Sequence, residues 1–218
     1  MRVNKEARAA AAAQKRAETR ERLLDAAIQV IADKGPEGVR IEDFVAAAGV
    51  SRGTFYNYFP TVQDLILTLN LRISYEIDRR LGGVRTEVAD PAARIAAILH
   101  RMWIAFADDP LKGWVAARIE AAGAARLLPW DQEFANLHKR AVAAGRFPPG
   151  DATAARTIVF GAMRMGVRDL YTGVVDFDHA VPLIAGLLTA CGMPRDEAHA
   201  VSAEQAALAR KATPKPSH

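Results

Sequence analysis

Between Ile41 and Phe59 the chain reads Ile-Glu-Asp-Phe-Val-Ala-Ala-Ala-Gly-Val-Ser-Arg-Gly-Thr-Phe-Tyr-Asn-Tyr-Phe, and this stretch constrains the fold more than any other. Ile41, Phe44, Val45 and Ala48 recur at helical spacing, which predicts a short helix over 41–48 with those residues turned inward. Gly49 follows, where a left-handed backbone is cheap. Ser51 has the chemistry of an N-cap for a third short helix ending near Phe59. Pro60 cannot continue that helix without cost. Two short helices around a glycine turn have the shape of a helix-turn-helix. Ala47 is small, as suits a close helix approach, and Val50 is expected to tuck beneath the turn.

The predicted third helix has an unusual outer surface. At about 100° per residue, Phe55 and Phe59 share one side with Ser51. Gly53, Thr54, Tyr56, Asn57 and Tyr58 cover the rest, and none of them is acidic. Hydroxyl, amide and aromatic groups suit phosphates and base edges. The missing carboxylates avoid repulsion from a polyanion. Taken singly, Tyr56 and Tyr58 read equally well as partly buried packing residues.

Glycine and proline cut the remaining chain into helical pieces. A first helix is predicted over Ala17–Lys34, with Leu23, Leu24, Ala27, Ile28 and Ile31 on one apolar face. Thr61 caps a fourth helix, Val62 to about Leu81, in a capping-box arrangement with Asp64 in place of Glu. Further helices are expected near 91–107, 111–123, 131–144, 152–171, 179–191 and 195–210. The fold class is therefore all-α: a three-helix helix-turn-helix domain, then a larger helical ligand-binding and dimerisation domain. The expected divisions are a basic arm over 1–16, the helix-turn-helix domain over 17–64 and the regulatory domain over 65–212. The fourth helix joins the two parts without a flexible linker, and a continuous helix passes on a shift that a linker would absorb.

Charge position is more informative than its total. The formal net charge is +4. Met1 to Arg22 holds seven basic residues (Arg2, Lys5, Arg8, Lys15, Arg16, Arg20, Arg22) and three acidic ones (Glu6, Glu18, Glu21), so this segment alone accounts for the excess. It reads either as a solvated tail or as a DNA-contacting arm. Cys191 is the sole cysteine, which excludes an intrachain disulfide. No apolar run reaches the roughly 20 residues that span a bilayer, and the start lacks a signal-peptide core, so a cytoplasmic location without membrane contact is expected. The five histidines are dispersed, and neither His-Glu-x-x-His nor Gly-x-Ser-x-Gly occurs. An enzyme, a metal site and a cofactor are therefore not expected.

Arg20 to Leu69 resembles the N-terminal DNA-binding domain of the TetR family. The matching features are Leu23-Leu24-Asp25-Ala26-Ala27, the glycine after that helix, the run from Ala47 to Phe59, and Asp64-Leu65. The resemblance implies that Arg52, Thr54 and Tyr58 touch bases or phosphates and that Tyr56 meets a backbone phosphate. It implies close DNA approach at Gly53 and, at the variable Asn57, a base contact such as adenine. Val39-Arg40 stand where the family often has a Thr-Ser or Thr-Thr pair, so the cap is expected to be lost, with Arg40 supplying the phosphate contact. Val62 stands where a lysine is common and cannot take a phosphate. With the capping residues Ser51 and Thr61, the candidate DNA contacts are Arg40, Ser51, Arg52, Gly53, Thr54, Tyr56, Asn57, Tyr58 and Thr61. Double-stranded DNA with a palindromic operator is the implied partner.

For the second part the sequence leaves alternatives open. Met102, Trp103, Phe106, Trp114, Phe134 and Met163 read first as core, and only second as the lining of an adaptable apolar pocket. Tyr75, His100, Arg118, His138 and Arg164 are polar groups available to orient a small apolar or amphipathic ligand, though each alone reads first as a satisfied surface or core residue. The segments 157–170 and 181–191 carry small residues (Gly161, Ala162, Gly166, Ala185, Gly186), and the resemblance places a homodimer interface there.

Overall fold

The computed structural model describes residues 2–122 and 129–212. Every regular element among them is helical: α1 (Arg2–Lys34), α2 (Ile41–Ala48), α3 (Arg52–Tyr56), α4 (Val62–Leu81), α5 (Val84–Glu87), α6 (Pro91–Asp108), α7 (Pro110–Ala121), α8 (Pro129–Ala143), α9 (Ala152–Tyr171), α10 (Ala180–Ala190) and α11 (Arg195–Ala212). A 3-10 turn at Phe177–His179 precedes α10. No helix among the described residues is long and apolar enough to cross a membrane.

Three elements differ from the sequence expectation. Helix α1 starts at Arg2 rather than Ala17, because the Ala9–Ala13 run is strongly helix-forming without any packing partner. Helix α3 stops at Tyr56; the backbone turns through Asn57 and Tyr58, and the Phe59 N–H still donates to the Phe55 carbonyl at 3.0 Å. Pro60 biases Phe59 away from helical backbone, which shortens the helix before the proline itself. Helix α5 was not expected, since Gly82-Gly83 reads only as a stop. Gly82 does leave the helix at φ 48°, but four residues then make one further turn.

The described residues pack as two compact units, 2–72 with 118–122, and 73–117 with 129–212. The divisions fall inside α4 and inside α7. The core of the N-terminal unit holds Leu23, Leu24, Ala27 and Ile31 of α1, Phe44 of α2, Phe55 of α3 and Leu65 and Leu69 of α4, all wholly buried. Arg118 donates to the Ala32 carbonyl at 2.6 Å, which satisfies a carbonyl of the last turn of α1. A side chain at Gly35, whose φ is 78°, would collide with that guanidinium.

In the C-terminal unit α6 is the central helix. It is buried nearly all round from Pro91 to Phe106, with Arg94 and Arg101 only partly covered. Helices α8, α9, α10 and α11 surround it. Asp90 caps it by accepting from the Ala93 N–H at 3.2 Å. Trp103 is wholly buried, and its indole N–H is satisfied by the Phe177 carbonyl at 3.0 Å. Gly166 sits against that ring: a Cβ there would lie 2.8 Å from Leu183 Cδ2 and 3.0 Å from Trp103 Cζ3.

Candidate nucleic-acid interface

The turn between α2 and α3 is built by Gly49, which leaves α2 in the left-handed region at φ 63° and ψ 40°. The Val50 N–H returns to the Val45 carbonyl at 3.0 Å. Val50 is half-buried, as the turn requires, whereas Ala47 is exposed; the small residue does not mark the helix contact the sequence suggested. Ser51 Oγ accepts from the Thr54 N–H at 3.0 Å and caps α3. Phe55 and Phe59 are buried beneath it, 5.9 Å apart between ring centres. A helix of five residues cannot hold itself, so these two rings fix its position.

The cap of α2 corrects an expectation. Arg40 offers no acceptor, yet half of a capping box survives: Asp43 Oδ2 accepts from the Arg40 N–H at 2.8 Å. Asp43 also meets Lys34 Nζ at 2.5 Å. Lys34 first, then the Arg40 N–H, hold the Asp43 carboxyl below the usual carboxylate range. At Thr61 the hydroxyl accepts from the Asp64 N–H at 3.1 Å and donates to the Asp64 carboxylate at 2.7 Å.

The side chains expected to meet DNA share one exposed surface unequally. Arg40, Ser51, Arg52, Gly53, Tyr56, Asn57 and Thr61 are exposed; Tyr56 is 52% exposed, which decides against a packing role. Thr54 and Tyr58 are half-buried. The Thr54 hydroxyl lies 2.9 Å from Ser51 Oγ, and the Tyr58 ring is capped by the Arg16 guanidinium at 5.7 Å. Neither backbone nor neighbours require a glycine at 53: its φ is ordinary, and a Cβ would meet only Ser51 Oγ at 3.8 Å.

Two contacts of this surface lie beyond the sequence reading. Glu42 of α2 pairs with Arg52 at 3.0 Å. The hydrogen bond with Tyr56, then the attraction of Glu42, raise the pKa of Arg52 above its ordinary value. Arg16 donates to the Asn57 carbonyl at 3.3 Å. Both contacts join residues on different helices, and no local periodicity announces them.

The expected ligand residues of the C-terminal part do not converge. Met102 and Phe134 line one recess together with Ile98, Leu99, Glu133 and Phe160. Glu133 and Phe160 were not anticipated. Phe106 lines a second recess with Glu76, Arg80, Asp109 and Lys112, where Lys112 pairs with Glu76 at 3.1 Å. His138 is buried between Phe134 and Phe147, and burial lowers its pKa. Trp103 and Met163 are core. Trp114 stacks on Tyr171 at 5.7 Å. Tyr75 is 68% exposed and lines neither recess. Arg118 belongs to the N-terminal unit.

Helices α9 and α10 carry an outer surface of the kind a helical interface needs. Ile158 and Met165 are exposed on α9, and Gly161 and Gly186 have open space where a Cβ would stand. Gly166 and Ala185, grouped with them by sequence, are buried.

Comparison with known proteins places these features in context. The sequence profile described as bacterial regulatory proteins, tetR family, matches residues 23–69. The HTH-type transcriptional regulator BetI of Brucella canis is 31% identical over 104 residues, 47% of this chain and 52% of BetI. The HTH-type transcriptional repressor KstR of Rhodococcus jostii is 34% identical over 94 residues, 43% of each chain. The chain thus spans about half the length, or less, of these curated relatives. A crystal structure of a gamma-butyrolactone receptor superposes with a TM-score of 0.64 at 20% identity, covering 91% of this chain and 100% of that one; at this identity the likeness concerns the fold.

Proposed function

We propose that the chain is a transcriptional repressor of the TetR family, whose profile matches its residues 23–69, and that it leaves a palindromic operator when a small apolar or amphipathic molecule binds. One observation carries this: α3, anchored by Phe55 and Phe59, turns outward an exposed surface with no carboxylate of its own. Arg52 and Tyr56 meet phosphates, with a phosphate taking the place of Glu42 beside Arg52. Asn57 faces a base edge, and Gly53 lets the backbone come close. Arg40, Ser51, Thr54, Tyr58 and Thr61 flank them. Two copies joined through 157–170 and 181–191 present two such helices, because one short helix reads too few bases and a two-fold dimer reads a palindrome.

The effector site in this reading is the recess between α6, α8 and α9, whose walls are apolar apart from Glu133. An effector coupled to DNA by about 1–3 kcal/mol weakens binding roughly 5- to 150-fold. The protein acts in the cytoplasm, on double-stranded DNA, without catalysis, metal or cofactor. Selection of bound duplexes from random-sequence DNA tests the proposal. A palindrome with half-site centres about 34–36 Å apart, or a multiple of that, supports it; enrichment of no sequence contradicts it.

A further inference from the structure

We propose that residues 8–22 of α1 form a second DNA-contacting element, a basic helix lying along the phosphate backbone beside the recognition helix; this rests on reading α2 and α3 as a DNA-binding helix-turn-helix. Helix α1 is 33 residues long, but from Ala7 onward its first buried residue is Leu23. Residues 7–18 are exposed on every side, so the fold gains nothing from their burial. Arg8, Lys15 and Arg22 recur every seven residues. On a helix they lie within about 40° of one line, each about 10 Å from the next. Among the described residues none of the three side chains has an ion-pair partner. The arginines at 52 and 72, by contrast, are held by Glu42 and by Glu21 with Asp25. Glu18 lies roughly 60° from the middle of the basic line, where it accepts from Gln14 at 3.1 Å.

Position links this line to the recognition surface. The Arg16 guanidinium covers the Tyr58 ring at 5.7 Å and donates to the Asn57 carbonyl. Arg20 lies over Phe59 at 5.5 Å. The exposed part of α1 therefore leaves from the edge where α3 ends, and the basic line is turned about 100–140° from that contact. Residues 8–22 extend about 21 Å, more than half of a helical turn of duplex. The chemistry selects a polyanion rather than a lipid surface, since 7–18 contains no large apolar side chain to enter a headgroup layer.

Salt dependence separates this inference from the reading beneath it. The full chain and the variant R8A/K15A/R22A are titrated with the duplex that the full chain recovers from random DNA. The expected result is at least tenfold weaker binding at low salt. The slope of log affinity against log salt becomes shallower by about 0.9 for each phosphate that the variant no longer neutralises, and the outer edges of the protection footprint shorten. The thermal midpoint stays unchanged, because the residues are exposed. The variant R8K/R22K keeps the charge and retains the slope; loss of binding in it overturns the electrostatic role. Unchanged slope and footprint in the alanine variant, alongside collapse of binding in Arg52→Ala, overturn the inference and leave the helix-turn-helix reading standing. A wild-type chain that binds no duplex overturns both.

Discussion

In the N-terminal unit the residues that form the outward surface lie between Arg40 and Thr61, and one turn at Gly49 brings them together. In the C-terminal unit one of the two recesses draws its walls from α6, α8 and α9, from Ile95 to Phe160. A surface set by caps, a turn and two anchoring rings is a local product of the chain. A recess is a remnant of global packing, left where helices from distant parts of the chain fail to fill the space between them. The comparison teaches where a single substitution should be felt. In the first unit it acts on the surface directly, whereas in the second its effect depends on how many neighbours share the burial.

Phe55→Ala tests that difference most severely. Phe55 is wholly buried and is one of two rings holding a five-residue helix. Its loss is expected to cost about 3–5 kcal/mol in denaturant unfolding and to remove DNA binding. Phe160→Ala, half-buried at the recess, is expected to cost clearly less. A reversed order would break the contrast.

His100 supplies the next effect, in the C-terminal unit alone. Burial holds its pKa down at about 4, the Ser202 contact opposing and the Arg210 charge adding to this. The unfolded chain therefore takes up a proton near pH 6.5 that the folded chain refuses. Stability is full above pH 6.5 and falls as the pH drops toward 4, by up to about 3 kcal/mol. His100→Gln should flatten that limb of the stability curve. A curve as steep as wild type would assign the acid loss to other groups.

The smallest effects sharpen the account of the glycines. Gly166→Ala drives a methyl into Trp103 and Leu183 and is expected to cost about 1–3 kcal/mol. Gly161→Ala and Gly186→Ala meet open space. They should leave protomer stability within about 1 kcal/mol while weakening self-association in sedimentation. Unchanged association would move the dimer interface away from α9 and α10.

How much of this was legible in the sequence follows the same division. Ser51, Gly49, Phe55 and Phe59 were readable because capping, positive φ and helical spacing each act within a few residues. The half-cap from Asp43 was missed because Arg40 at the capping position suggested no cap at all. Glu42 beside Arg52 and Arg16 over Tyr58 depend on how two helices cross, which spacing does not encode. In the C-terminal unit Met102 and Phe134 share a recess, but Trp103 and Met163, with the same composition signal, are core. Apolarity does not distinguish a wall from an interior. Tyr75 shows the converse, an aromatic residue left exposed on α4.

The central claim is that the surface of α3 reads DNA in the full chain. The most direct measurement is the affinity of wild type, Arg52→Ala and Tyr56→Ala for the selected duplex and for a scrambled one, at fixed salt. The account predicts at least tenfold weaker binding to the selected duplex for each variant, with unchanged thermal midpoints because both side chains are exposed. Wild-type affinity in both variants would contradict it.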